Sequence, residues 1–254
     1  MKICRFRLKT GQVSWGEMRG ERIKPLELVS PDPVIFTSGK GEHELPDCEL
    51  LLPCDPSQIV GIGDNYRKPG EDLRPTIFLK PRAALVPHRS VVELPENALV
   101  WGEPEIGIVL KKSCEMLDDF EPEDFILGFC LINDTTARFG PDDVDTHTPK
   151  AKGQPGFCPM GEYISTDFHY ESAEISGLHN GVLYRQGAVS GMQWDLKSIL
   201  REVSRSHRLR PFDVITTGTP PRVNPERKYL QNGDEFVVKV NGLGELLTRY
   251  EGRT

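Results

Sequence analysis

The chain has 254 residues, a formal net charge of −7 at pH 7, 27% charged and 37% hydrophobic residues, which suits one substantial core, or one core with a small appended lobe. Lysine and arginine are scattered rather than gathered into a basic stripe, which argues against nucleic acid as a partner. No apolar stretch approaches the roughly 20 residues needed to cross a bilayer, and residues 1–8 alternate polar and apolar like a strand rather than a signal peptide, so we expect a cytoplasmic protein that acts on small molecules and does not enter membranes.

Residues 1–54 read as a small N-terminal β lobe, with strands at 3–8 and 13–18 before a stretch rich in Pro, Gly and Ser at 30–41. Residues 55–254 read as the main domain. It opens with a strand at 58–63, runs through a polar, proline-containing segment at 64–75 that suits a lid, and resumes as a strand at 76–80 ending in Lys80. Pro122 and Gly128 bracket an expected short helix, with proline in the first turn and glycine at the stop. A second helix is expected over 193–205, where Leu196, Ile199, Leu200 and Val203 recur at spacings of three and four. Strands return at 214–217, 235–240 and 245–248, the last two joined by Asn241-Gly242, a hairpin signal. The 24 glycines and 21 prolines suit many short strands better than long helices. The expected fold class is mixed α+β, mostly β with short helices. The six cysteines show neither a Cys-x-x-Cys pair nor a zinc-like spacing, and are read as reduced, with Cys130 in the core.

The chemistry concentrates in Trp-Gly-Glu-Pro-Glu-Ile-Gly-Ile-Val-Leu at 101–110. Residues i and i+2 of a strand point to the same side with Cα atoms roughly 6.5 to 7 Å apart, so Glu103 and Glu105 can reach one ion. Pro104 argues for an edge or irregular strand there, and the β-branched run after it for a strand continuing inward. Read alone, such a pair is two solvated acids on the wet face of a strand. Asp134, where an apolar run gives way to a polar loop, makes a third carboxylate. Three carboxylates without Cys or His favour a hard cation: Mg2+ first, then Mn2+ or Ca2+.

Taken in order, the motifs resemble those of the fumarylacetoacetate hydrolase family, in its smaller type. They are Val-Gly-Ile-Gly-Asp-Asn-Tyr-Arg (60–67), Ile-Phe-Leu-Lys-Pro (77–81), Glu-Pro-Glu-Ile-Gly-Ile-Val-Leu (103–110), Asn-Asp-Thr-Thr-Ala-Arg (133–138), Ala-Lys-Gly (151–153), Thr-Gly-Thr-Pro (217–220) and Asn-Gly-Asp-Glu (232–235). The resemblance implies a rolled β-sheet around a Mg2+ or Mn2+ site, activity on oxo acids or diketones, and a homodimer. It makes Glu103, Glu105 and Asp134 the metal ligands, Lys152 the lysine beside the metal, and Lys80, Arg138 and Thr219 residues of the substrate pocket. The three cations offset the site's negative charge toward an anionic substrate.

Two stretches depart from the family pattern. Smaller members carry Asn-Tyr-x-x-His with a glutamate three residues on, a pair that activates water; here Pro69 stands in the histidine's place, and Pro69-Gly70 disfavours a helix. Asp72, or Glu71 after a small shift, stands in for the glutamate. Pro141 replaces a family glutamine after Arg138, in a loop at 139–149 rich in Asp, Gly and Pro, where His147 offers an alternative base. Without the water-activating pair, isomerisation, decarboxylation or a lyase or cyclisation variant is expected ahead of C–C bond hydrolysis. A catalytically silent, metal-dependent oxo-acid binder is the alternative.

Overall fold

A computed structural model describes residues 1–66 and 75–252. Strand Lys2–Leu8 pairs antiparallel with Val13–Arg19, which continues the meander into Arg22–Pro31 and Val34–Ser38. The other edge of Lys2–Leu8 bonds to Ile164–Ser165. Through that contact the meander joins Ile126–Asn133, Pro104–Leu110, Val214–Thr216, Ile59–Gly63 and Thr76–Lys80 in one sheet of fourteen strands. A second sheet of five strands comprises Val91–Leu94, Gly244–Gly252, Glu235–Val240, Glu174–His179 and Val182–Ala188. The fold is mostly β, as expected from the composition.

Every residue of Pro104–Leu110 is buried, and the apolar run reads so because this strand is central, not an edge. It pairs with Ile126–Asn133 on one side and Val214–Thr216 on the other. Pro104 is tolerated because it is the strand's first residue and lies beyond the second ladder, which begins at Gly107. Gly107 lets the neighbours close in: a Cβ there would fall 2.8 Å from Cys130 Sγ and 2.9 Å from Ile132 Cγ1.

The expected helix after Pro122 is a single 3-10 turn, Pro122–Asp124. At Ile126 the chain already pairs with Leu110, so tertiary pairing overrides the local proline and glycine signals. Gly128 is a strand residue, and a Cβ on it would meet the Ser165 carbonyl oxygen at 2.4 Å. The second helix is present as Leu196–Ser206. Asp195 caps it by accepting from the Ser198 N–H at 2.7 Å, and Ile199, Leu200 and Val203 are buried. The Asn241-Gly242 hairpin forms, with Val240 paired to Gly244. Among the described residues no helix is long and apolar enough to cross a membrane.

Candidate metal centre

Strand register assembles the carboxylates. Pro104 lies opposite Asn133, the Asp134 N–H donates to the Glu103 carbonyl at 2.8 Å, and the Asn133 side-chain oxygen accepts from the Glu103 N–H at 3.1 Å. One ligand atom each from Glu103, Glu105 and Asp134 therefore lies within 4.8 Å of the others. Asp134 is fully buried and Glu105 is 1% exposed.

The three acids differ in what neutralises them. Glu103 accepts from Lys152 Nζ at 2.8 Å, Trp101 Nε1 at 2.7 Å and Arg185 Nη2 at 3.3 Å. Burial acts to raise its pKa, but Lys152 and Arg185 outweigh it and hold the carboxyl well below the usual range. Asp134 is gripped from both sides, by Lys80 Nζ on Oδ1 at 2.5 Å and by Lys152 on Oδ2. Glu105 accepts at Oε2 from the Gly218 N–H at 2.9 Å, and among the described residues no lysine or arginine bonds to it. Burial, followed by the Asp134 charge, pushes it up to about 8. That raised affinity for a proton marks a place where positive charge is lacking, so the donor set fits a hard divalent cation.

Lys152 ends the short helix Pro149–Lys152, which Thr148 caps at its N-terminus. Its ammonium also reaches Thr136 Oγ1 at 2.8 Å. Burial lowers its pKa, yet Asp134, Glu103 and Glu105 reverse that, so the ammonium is held charged.

The triad opens into a cavity of about 570 Å³. Thr219 lines it, and the Thr219 and Tyr66 hydroxyls are buried without a hydrogen-bond partner among the described residues. Burial raises the Tyr66 pKa, with Glu105 adding to it, so Tyr66 remains a donor. Lys80 and Arg138 are not among the lining residues. Lys80, 2% exposed, bonds to Asp134 and the Thr135 carbonyl, and Arg138 lies in strand Thr136–Arg138 with its Nε buried and without a hydrogen-bond partner among the described residues. Glu71 and Asp72, with Pro69, lie outside the described residues. His147 does line the cavity. Its Nε2 is 3.9 Å from Asp64 and its Nδ1 3.6 Å from Asp145, beyond hydrogen-bond range but close enough for their charges to act. It packs against Gly63, where a Cβ would fall 2.1 Å from its Nε2.

Sequence reasoning passed over Trp101, Arg185, Arg222 and Arg227, all of which line this cavity. A signal existed for the last two: both follow within a few residues of the Thr217–Pro220 motif, in Pro-Pro-Arg-Val-Asn-Pro-Glu-Arg.

A family model, the C-terminal region of fumarylacetoacetate (FAA) hydrolase, matches residues 58–250. A protein of Mycobacterium tuberculosis is 34% identical, over 97% of this chain and 96% of its own length. Among solved structures, a 5-carboxymethyl-2-hydroxymuconate delta-isomerase from Mycobacterium smegmatis superposes with a TM-score of 0.87 at 29% identity, covering all of both chains. A 2-hydroxyhepta-2,4-diene-1,7-dioate isomerase from Mycobacterium marinum does so with a TM-score of 0.87 at 30% identity, covering 100% of this chain and 99% of that one.

Proposed function

This chain belongs to the fumarylacetoacetate hydrolase family, and from that premise we propose that it is a divalent-metal-dependent enzyme that acts on a 2-oxo acid or 1,3-dicarbonyl compound through its enolate. The observation that carries the reading is the buried triad of Glu103, Glu105 and Asp134 at one cavity, with no lysine or arginine among the described residues bonded to Glu105. These three residues would hold Mg2+ or Mn2+, with Ca2+ a substitute, since all the donors are carboxylate oxygens. Bound there, the cation supplies Lewis-acid polarisation of the substrate carbonyl and stabilisation of enolate charge.

The protein groups supply the rest. Lys80 and Lys152 fix the Asp134 carboxylate, and Lys152 adds positive charge where the oxyanion develops. The Tyr66 and Thr219 hydroxyls donate to substrate oxygens that fill the cavity beside them. His147 is placed to carry the proton between carbons, flanked by Asp64 and Asp145; Asp72 and Glu71 are the other candidates for that proton. Isomerisation or decarboxylation leads C–C bond hydrolysis, because those reactions need a proton carrier but no activated water. The isomerase names of the two similar structures support the same direction. The cytoplasm and a homodimer complete the proposal, on the strength of the sequence and the resemblance.

Proton NMR of oxaloacetate, an acylpyruvate and an oxo-dienoate incubated with the protein tests it. Turnover of at least one compound is expected with Mg2+ or Mn2+, lost in Glu105→Gln. Calorimetric binding of oxalate without any turnover would instead identify a silent binder.

A further inference from the structure

Two cavity residues have no part in the scheme above. Arg222 and Arg227 are both half-buried and both line the cavity, yet neither forms an ion pair with a carboxylate among the described residues, unlike Arg185, which bonds to Glu103. A guanidinium withdrawn from water usually has an anion beside it. Burial lowers the Arg227 pKa and the Arg222 charge lowers it further, with Glu103 pulling the other way.

The chain holds this pair in place. The backbone of Arg222 bridges to that of Arg185, and the Val223 N–H donates to the Tyr184 carbonyl at 3.0 Å. The Arg222 side chain curls back so that Nε and Nη2 donate to the Pro225 carbonyl at 3.2 and 3.0 Å. Arg227 stacks over the Trp101 ring at 4.0 Å, which fixes its plane and leaves its edge for hydrogen bonds. Trp101 in turn donates to Glu103 at 2.7 Å. The stack and that hydrogen bond put the Arg227 guanidinium within roughly 10 Å of the Glu103 carboxylate, an indole ring's width included. An acid with its oxo group at the triad and a second carboxylate about four to six carbons away spans such a gap, at roughly 1.5 Å per single bond.

We propose that Arg222 and Arg227 form an anion subsite that receives the second carboxylate of a 2-oxo dicarboxylic acid, and so select diacid over monoacid substrates. The inference rests on the functional reading above, and it adds the end of the substrate remote from the metal. A bidentate guanidinium–carboxylate pair in a partly dry cavity strengthens binding and fixes orientation.

The test is calorimetric binding of 2-oxoadipate and 2-oxohexanoate, which share a chelating head and a chain length and differ in the distal carboxylate, to the Mn2+-loaded protein. Wild type is expected to bind the diacid at least tenfold more tightly. In Arg222→Gln/Arg227→Gln the preference should fall to within threefold, with Mn2+ affinity retained as evidence of an intact fold. Equal binding of the two acids by wild type, or a preference that survives in the double variant, overturns the subsite. Binding of Mn2+ with neither acid bound overturns the oxo-acid reading itself, and the subsite with it. Those two failures are distinct in the same titrations.

Discussion

Glu105 is a side chain whose charge changes near neutral pH. Its folded pKa of about 8 lies above that of an ordinary carboxylate, so across the interval between the two the metal-free folded chain keeps a proton that the unfolded chain releases. The stabilisation is complete below the ordinary carboxylate pKa and is lost as pH rises through about 8. A divalent cation competes with that proton. Apparent Mn2+ affinity should therefore climb by up to about tenfold per pH unit in this window and level off above it. Calorimetry at pH 7 in buffers of differing ionisation enthalpy should show close to one proton released per Mn2+, and no release would refute the assignment. Lys152 carries the opposite risk. Lys152→Met leaves buried Glu103 with Arg185 alone and buried Asp134 with Lys80 alone, and should cost the metal-free protein up to about 3–5 kcal/mol in urea titration. The convergence of the three acids was legible because each sits in a short motif whose strand geometry fixes its direction. The contrasting environments of the acids were not, since Glu103 is held by Arg185 as well as by Lys152, and Arg185 lies outside any sequence pattern.

At the scale of elements, the site depends on how closely Pro104–Leu110 and Ile126–Asn133 approach. Gly107→Ala would force a methyl against Cys130 and Ile132, and such overpacking should cost about 1–3 kcal/mol while sliding Glu105 relative to Asp134. A drop in Mn2+ affinity alongside the lost stability would show that the strand pair sets the spacing of the ligands. No described residue of Leu196–Ser206 lines the cavity, and Asp195→Ala should remove about 1 kcal/mol through its cap without altering Mn2+ affinity. This helix could be read from apolar spacing because its own amphipathic face decides it. The segment at 122–128 could not, because its fate is set by pairing of Ile126 with Leu110. The same holds for Pro104–Leu110, where proline suggested an edge and only the second ladder reveals a central strand.

Across the whole molecule, the fourteen-stranded sheet brings Ile59–Gly63, Pro104–Leu110, Ile126–Asn133 and Val214–Thr216 side by side, so segments far apart in the chain meet at one cavity. Their order along the chain carried the family resemblance, and the composition carried the β-rich class. The loop after Thr217–Pro220 escaped because its two arginines acquire meaning only when folded against Trp101 and Tyr184. Since the unfolded chain has no such site, a cation that binds the folded form should stabilise it by about 2.7 kcal/mol at a free concentration of about 100 times Kd. EDTA should reverse the gain, as read by thermal unfolding. Enolate formation at the carboxylate triad is measured by exchange of the C3 protons of 2-oxoadipate in D2O, followed by NMR. Exchange should require Mg2+ or Mn2+ and disappear in Glu105→Gln. Exchange no faster with metal-loaded protein than with metal alone would rule out enolate formation at the triad.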